Sequence, residues 1–100
     1  MQRGKRSRTA HLDVFDSASP AAFSRAGLVV PKHRCTVVQR NRLRRRLREL
    51  LRGLVLPTLG ARGLALDVIV RARREAYEVS FDGLRAEMTA WLERRCSRAP

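Results

Sequence analysis

The 100-residue chain carries 22 Lys+Arg against nine Asp+Glu, a net charge of +13, and 44% of its residues are hydrophobic. That length allows one domain, spanning 1–100, with a modest core, and the hydrophobic share excludes disorder by composition. The charge points to a polyanionic partner, whose phosphates release counterions on binding.

No apolar run approaches the ~20 residues of a membrane span. The basic opening Met1-Gln2-Arg3-Gly4-Lys5-Arg6 lacks the apolar stretch of a signal peptide. A cytoplasmic protein with no membrane partner is therefore expected.

From Thr9 to Asp16, Ala10, Leu12 and Val14 alternate with His11, Asp13 and Phe15, the pattern of a half-buried strand. Ser17-Ala18-Ser19-Pro20 reads as a turn. Arg25 to Val30 predicts a second strand with Leu28 and Val30 inward, and Pro31, which has no amide proton, ends its pairing. Thr36 is placed to cap a helix running from Val37 to Leu56 and stopped by Pro57. Gly60 to Gly63 reads as a flexible connection.

Leu64 to Ala72 is the clearest strand, alternating Leu66, Val68 and Val70 against Asp67, Ile69 and Arg71. The charged connection Arg73-Arg74-Glu75 leads to a last helix capped by Ser80. Its apolar stripe is Phe81, Leu84, Met88, Trp91 and Leu92, with Trp91 read as core. This order predicts an α+β fold, a small antiparallel-type sheet with two helices on one face.

The central helix holds the strongest signal. Six of the ten residues from Arg40 to Glu49 are arginine. Leu43, Leu47, Leu50, Leu51 and Leu54 fall on one stripe at about 100° per residue. Arg45, Arg48 and Arg52 then point nearly opposite, with Arg42, Arg44 and Arg46 on the flanks. Such a helix can dock on a core and still present guanidinium groups, which bind phosphate in a bidentate manner.

No catalytic constellation accompanies it. The carboxylates show no spacing for shared acid–base work or a two-metal clamp. His11 and His33 have no evident nucleophile or orienting partner. Cys35 and Cys96 lack metal-ligand spacing and are expected to be reduced thiols. The residues therefore predict a binder. A DNA reader would need a helix–turn–helix pair, whereas a rigid basic helix beside an open sheet suits folded RNA and a single strand. RNA, and not DNA, is the expected partner.

Lys32, followed eight residues later by Arg40-Asn41-Arg42-Leu43-Arg44-Arg45-Arg46-Leu47-Arg48-Glu49, resembles the RNR signature of the bacterial ribonuclease P protein component. Arg25 to Lys32 resembles that family's strand before the signature, Leu66 to Ala72 its later strand, and Ser80 to Arg95 its closing helix. The resemblance implies a ribosomal S5 domain 2-like fold. Its strand–helix–strand crossover would be left-handed, against the right-handed form found in about 98% of cases.

It also implies an RNA-binding subunit of the ribonuclease P endoribonuclease, inactive alone. Its partner, the ribonuclease P RNA, would hold Mg2+ and remove the 5′ leader of precursor tRNA. By the same resemblance Lys32, Arg40, Asn41, Arg42, Arg44, Arg45 and Arg48 would contact the RNA. Phe15 falls where the family often has an aromatic on a cleft face, and would stack on a leader base.

Three departures stand out. Cys35-Thr36-Val37 replaces a glycine, a small polar residue and alanine, and Pro31 stands where a serine is common. Only Met1-Gln2-Arg3 precede Gly4, where the family has a helix lining the cleft, so either the start of the chain is assigned late or that helix is missing and the leader site more open. A basic RNA-binding protein of ribosomal type would share the arginine helix but need no cleft.

Overall fold

Alternation of buried and exposed residues builds the sheet. In the computed structural model, which describes residues 5–31 and 36–97, the strands are β1 (Lys5–Arg8), β2 (Leu12–Ala18), β3 (Arg25–Val29) and β4 (Leu66–Ala72). They lie in the order β1-β2-β4-β3. Leu12 and Val14 of β2 and Leu66, Val68 and Val70 of β4 are buried on one face. Phe15 pairs with Ile69 on the other, where Ile69 is 45% exposed.

The sheet is mixed, not antiparallel throughout as its residues suggested. β2 runs antiparallel to β1 and β4, but β3 runs parallel to β4. The connection explains this: the chain leaves β3 through the long helical segment and returns beside it in the same direction, which only a crossover allows. The strand–helix–strand unit implied by the family resemblance is thus present. β1 was not anticipated, because Lys5-Arg6-Ser7-Arg8 has no apolar residue to show a period.

The helical segment consists of α1 (Val37–Leu50), a π-helical stretch (Leu51–Val55) and α2 (Leu56–Ala61). Thr36 does cap it: its Oγ1 accepts the Gln39 N–H at 3.0 Å while Gln39 Oε1 accepts the Thr36 N–H at 2.9 Å, a reciprocal capping box. The helix does not stop at Pro57. A proline ring presses on the carbonyl four residues back, here that of Gly53. The wider turns just before it relieve that pressure, with the Leu56 N–H bonded to the Leu51 carbonyl.

The segment ends instead at Gly63, whose φ of 70° suits glycine. The Gly63 N–H donates to the Gly60 carbonyl at 3.0 Å and the Leu64 N–H to the Leu59 carbonyl at 2.9 Å. This is a Schellman cap, so residues 60–63 are a defined terminus and not a flexible connection.

The last helix, α3 (Phe81–Ser97), starts at Ser80, whose Oγ accepts the Gly83 N–H at 3.0 Å. Leu84, Met88, Trp91 and Leu92 are buried with Leu43, Leu47, Leu50 and Leu51 against the inner face of the sheet.

Polar ties lock this layer. Arg73, just after β4, donates from Nη1 to Asp13 Oδ1 at 2.9 Å and to the Leu12 carbonyl at 2.8 Å, and from Nη2 to the Thr9 carbonyl at 2.7 Å. Arg95 of α3 reaches Asp16 at 3.1 Å. Glu87 accepts from the Thr9 hydroxyl at 2.6 Å and the His11 N–H at 3.0 Å, and its other oxygen bonds His11 Nδ1. His11 therefore has the orienting partner that its sequence neighbourhood did not show. The Thr9 hydroxyl bonds to the carboxylate and not to the imidazole, so the arrangement ties the turn between β1 and β2 to α3.

Candidate nucleic-acid interface

The leucine stripe sets which arginines of α1 face solvent. Leu43, Leu47 and Leu50 are buried, which leaves Asn41, Arg42, Arg45 and Arg48 exposed and Arg44 and Arg46 half-buried. Asn41, Arg42 and Arg45 line a shallow hollow with Val38, which is 66% exposed. Arg42 and Arg46 flank Tyr77 on one side, and Arg44 and Arg48 look toward β3 on the other. Lys32 lies outside the described residues.

Arg40 differs from the rest. It sits one turn into the helix, half-buried, and its Nε donates to the Val30 carbonyl at 2.8 Å. Part of its guanidinium thus holds the end of β3 against α1. The Tyr77 hydroxyl supports the same connection through the Pro31 carbonyl at 2.9 Å.

Charge is distributed unevenly. From Val37 to Ala61 there are seven arginines and a single carboxylate, Glu49. Among the described residues none of these arginines is in an ion pair, whereas Arg6, Arg25, Arg73 and Arg95 each hold a carboxylate. The neutralised cations belong to the sheet and its helix packing, whereas every arginine of the helical segment is left without a carboxylate partner among the described residues. A field of this kind attracts phosphate and weakens with salt.

The outer sheet face forms a second surface. In one row across it stand Arg6, Phe15, Ile69 and Gly27, and in the next Arg8, Asp13, Arg71 and Val29. The Arg6 guanidinium lies 5.8 Å from the Phe15 ring centroid, a cation–π distance. Phe15 is half-buried, and Val29 and Ile69 are each 45% exposed. An aromatic and two aliphatic side chains framed by arginines can receive bases and hold their phosphates. Of this surface, the sequence alone had marked only Phe15. β1 had no periodic signal to place Arg6 and Arg8 beside it.

At the far end of the face Arg25 and Asp67 pair across β3 and β4, Nε to Oδ1 at 2.8 Å and Nη2 to Oδ2 at 2.7 Å. The hydrogen-bonded Arg25 guanidinium holds the Asp67 carboxyl below its usual range, and Ser19 adds a further hydrogen bond. A lowered folded-state value means the stabilisation is complete above the ordinary carboxylate range and is lost as pH falls through the folded value. The difference in melting temperature between wild type and Asp67→Asn should accordingly be largest near neutral pH and shrink on acidification. A difference that stayed constant to low pH would show that the pair contributes nothing.

A crossover helix with a buried leucine stripe and unneutralised arginines, set beside an open sheet face, defines a small α+β domain for binding nucleic acid. A protein-family model, Ribonuclease P, matches residues 1–96, and the chain belongs to the ribonuclease P protein family. The ribonuclease P protein component of Syntrophobacter fumaroxidans is 37% identical over 87 residues, 87% of this chain and 71% of that protein. The ribonuclease P protein of Thermotoga maritima superposes with a TM-score of 0.75 at 26% identity, over 92% of this chain and 84% of that one. That of Staphylococcus aureus, at 22% identity and a TM-score of 0.71, covers 93% of this chain and 82% of its own, and supports the fold alone. As a family member, the chain is an RNA-binding subunit of the ribonuclease P endoribonuclease, and the ribonuclease P RNA is its partner.

Proposed function

We propose that α1 holds the ribonuclease P RNA through Arg40, Asn41, Arg42, Arg44, Arg45 and Arg48, with Lys32 as a further contact, while the outer sheet face receives the 5′ leader of precursor tRNA. The observation that carries this reading is the concentration of arginines on α1, none of them in an ion pair among the described residues, whereas Arg25, Arg73 and Arg95 around the sheet are held by carboxylates. Phosphate is the counter-charge that α1 lacks. Phe15, with Arg6 beside it, stacks on a leader base.

Mg2+ belongs to the RNA in this reading. Among the described residues no three His, Cys, Asp or Glu side chains gather to hold an ion. Asp13, Asp16 and Asp67 already accept from arginine, so these residues do not fit a Mg2+ site and no protein group is given a catalytic role. The RNA supplies phosphodiester hydrolysis, and the protein binds and positions. RNA is preferred to DNA because the basic helix follows a strand and, among the described residues, has no helix–turn–helix companion. No described helix is long and apolar enough to cross a membrane. We assign the protein to the cytoplasm, a setting in keeping with the buried free thiol of Cys96.

Reconstitution tests the proposal. Added to a bacterial ribonuclease P RNA at low magnesium, the purified chain should restore removal of the leader from precursor tRNA, and cleavage by the protein without RNA would overturn it. Phe15→Ala should weaken the holoenzyme's affinity for precursor tRNA about tenfold while leaving affinity for leaderless tRNA unchanged. An equal loss on both would remove Phe15 from the leader site.

A further inference from the structure

β3 ends the sheet, so one side of its backbone has no strand partner. Exposed edges of this sort are normally covered or blunted. Here the edge faces the helical segment across a groove of about 280 Å³. Ala26, Gly27 and Leu28 form its strand side, and Leu51 and Leu56 lie between strand and helix. Arg44, Arg48 and Arg52 stand over the opposite wall, and no ion pair among the described residues engages them. The groove combines apolar surface, a row of amide groups and cationic charge, at a size suited to a single nucleotide.

We propose that this groove takes one unpaired nucleotide of the bound RNA. The base lies on Leu51, Leu56 and Leu28, its polar edge meets the free N–H and C=O groups of β3, and its phosphate lies between Arg44 and Arg48. Along a helix a four-residue step rises about 6 Å, so Arg52 continues the row and meets an adjacent phosphate. Charge complementarity selects a polyanion, and the leucine surface selects one with an unstacked base. A paired duplex does not fit, because its bases are not available to enter. The inference rests on the RNA-binding reading and deepens it: the basic helix recognises an extruded base as well as backbone charge.

Ala26 is exposed at the mouth of the groove, so Ala26→Trp fills the space from the sheet edge without disturbing the core. The experiment compares full-length wild type and variant bound to a bacterial ribonuclease P RNA, reading affinity and the reactivity of each unpaired base to a small alkylating probe. Wild type is expected to protect one unpaired base. Ala26→Trp should lose that protection and no other, with affinity down about tenfold and a salt slope shallower by at most about one, since only the groove nucleotide's phosphate is displaced. Should the tryptophan variant prove unfolded, Ala26→Glu, which places a carboxylate where the phosphate strand passes, is expected to lose the same protection. Full affinity and an unaltered protection pattern in a folded variant overturn the groove but leave the RNA-binding reading intact. A wild type that does not bind the RNA overturns both.

Discussion

Replacing Arg45 and Arg48 together by glutamate is expected to lower affinity for the ribonuclease P RNA by roughly a hundredfold or more. The same change should leave the fold unaltered. Both residues are exposed and lie away from the buried Leu43, Leu47 and Leu50. Surface substitutions of this kind usually change stability by less than about 0.5 kcal/mol. The arginines around the two positions would also become attracted to them instead of repelled.

A phosphate that the protein no longer neutralises keeps its counterion, so the slope of log affinity against log salt should become shallower by about two. Filter binding across a salt series, with thermal melting of the free proteins, reads both quantities. Affinity within threefold of wild type would place the RNA on another face. Unfolding of the double variant would show that the faces of α1 are wrongly assigned.

Arg73→Ala is expected to cost about 3–5 kcal/mol of stability, a large part of the 5–15 kcal/mol typical of a domain. The Asp13 side chain is only 8% exposed and would keep only Arg6, at 3.9 Å, as an ion-pair partner. The carbonyls of Thr9 and Ala10 would lose the Arg73 donor at the same time, while that of Leu12 would keep its bonds from Thr9. A buried charge left without its partner is more costly than the intact pair is favourable. Arg73→Lys should recover little, because a single ammonium cannot reproduce a planar fork that serves a carboxylate and three carbonyls. Urea denaturation measures the change, and a loss below about 1 kcal/mol would mean that water replaces these bonds readily.

The two predictions differ in where their support originates. The exposed arginine face of α1 was legible in the chain, because Leu43, Leu47, Leu50 and Leu51 repeat at helical spacing and the arginines fall between them. The stripe of α3 and the alternation in β4 were equally legible, and Trp91 is core as expected, at 1% exposure. Arg73, by contrast, read as part of a charged connection. Its partners lie 60 or more residues away, and no local pattern points to them. The same holds for Asp16 with Arg95 and for His11 with Glu87, separated by 79 and 76 residues.

The sequence alone determined the elements with a strong apolar period and the family, because those signals reside in spacing along the chain. Tertiary structure decided what depends on strands and helices meeting: the parallel pairing of β3 with β4, the apolar-free β1, the helix continuing beyond Pro57 to a glycine cap, and the groove beside β3. A period records which side of an element is buried. It does not record which neighbour covers that side, in which direction the neighbour runs, or which distant charge is brought within hydrogen-bonding reach.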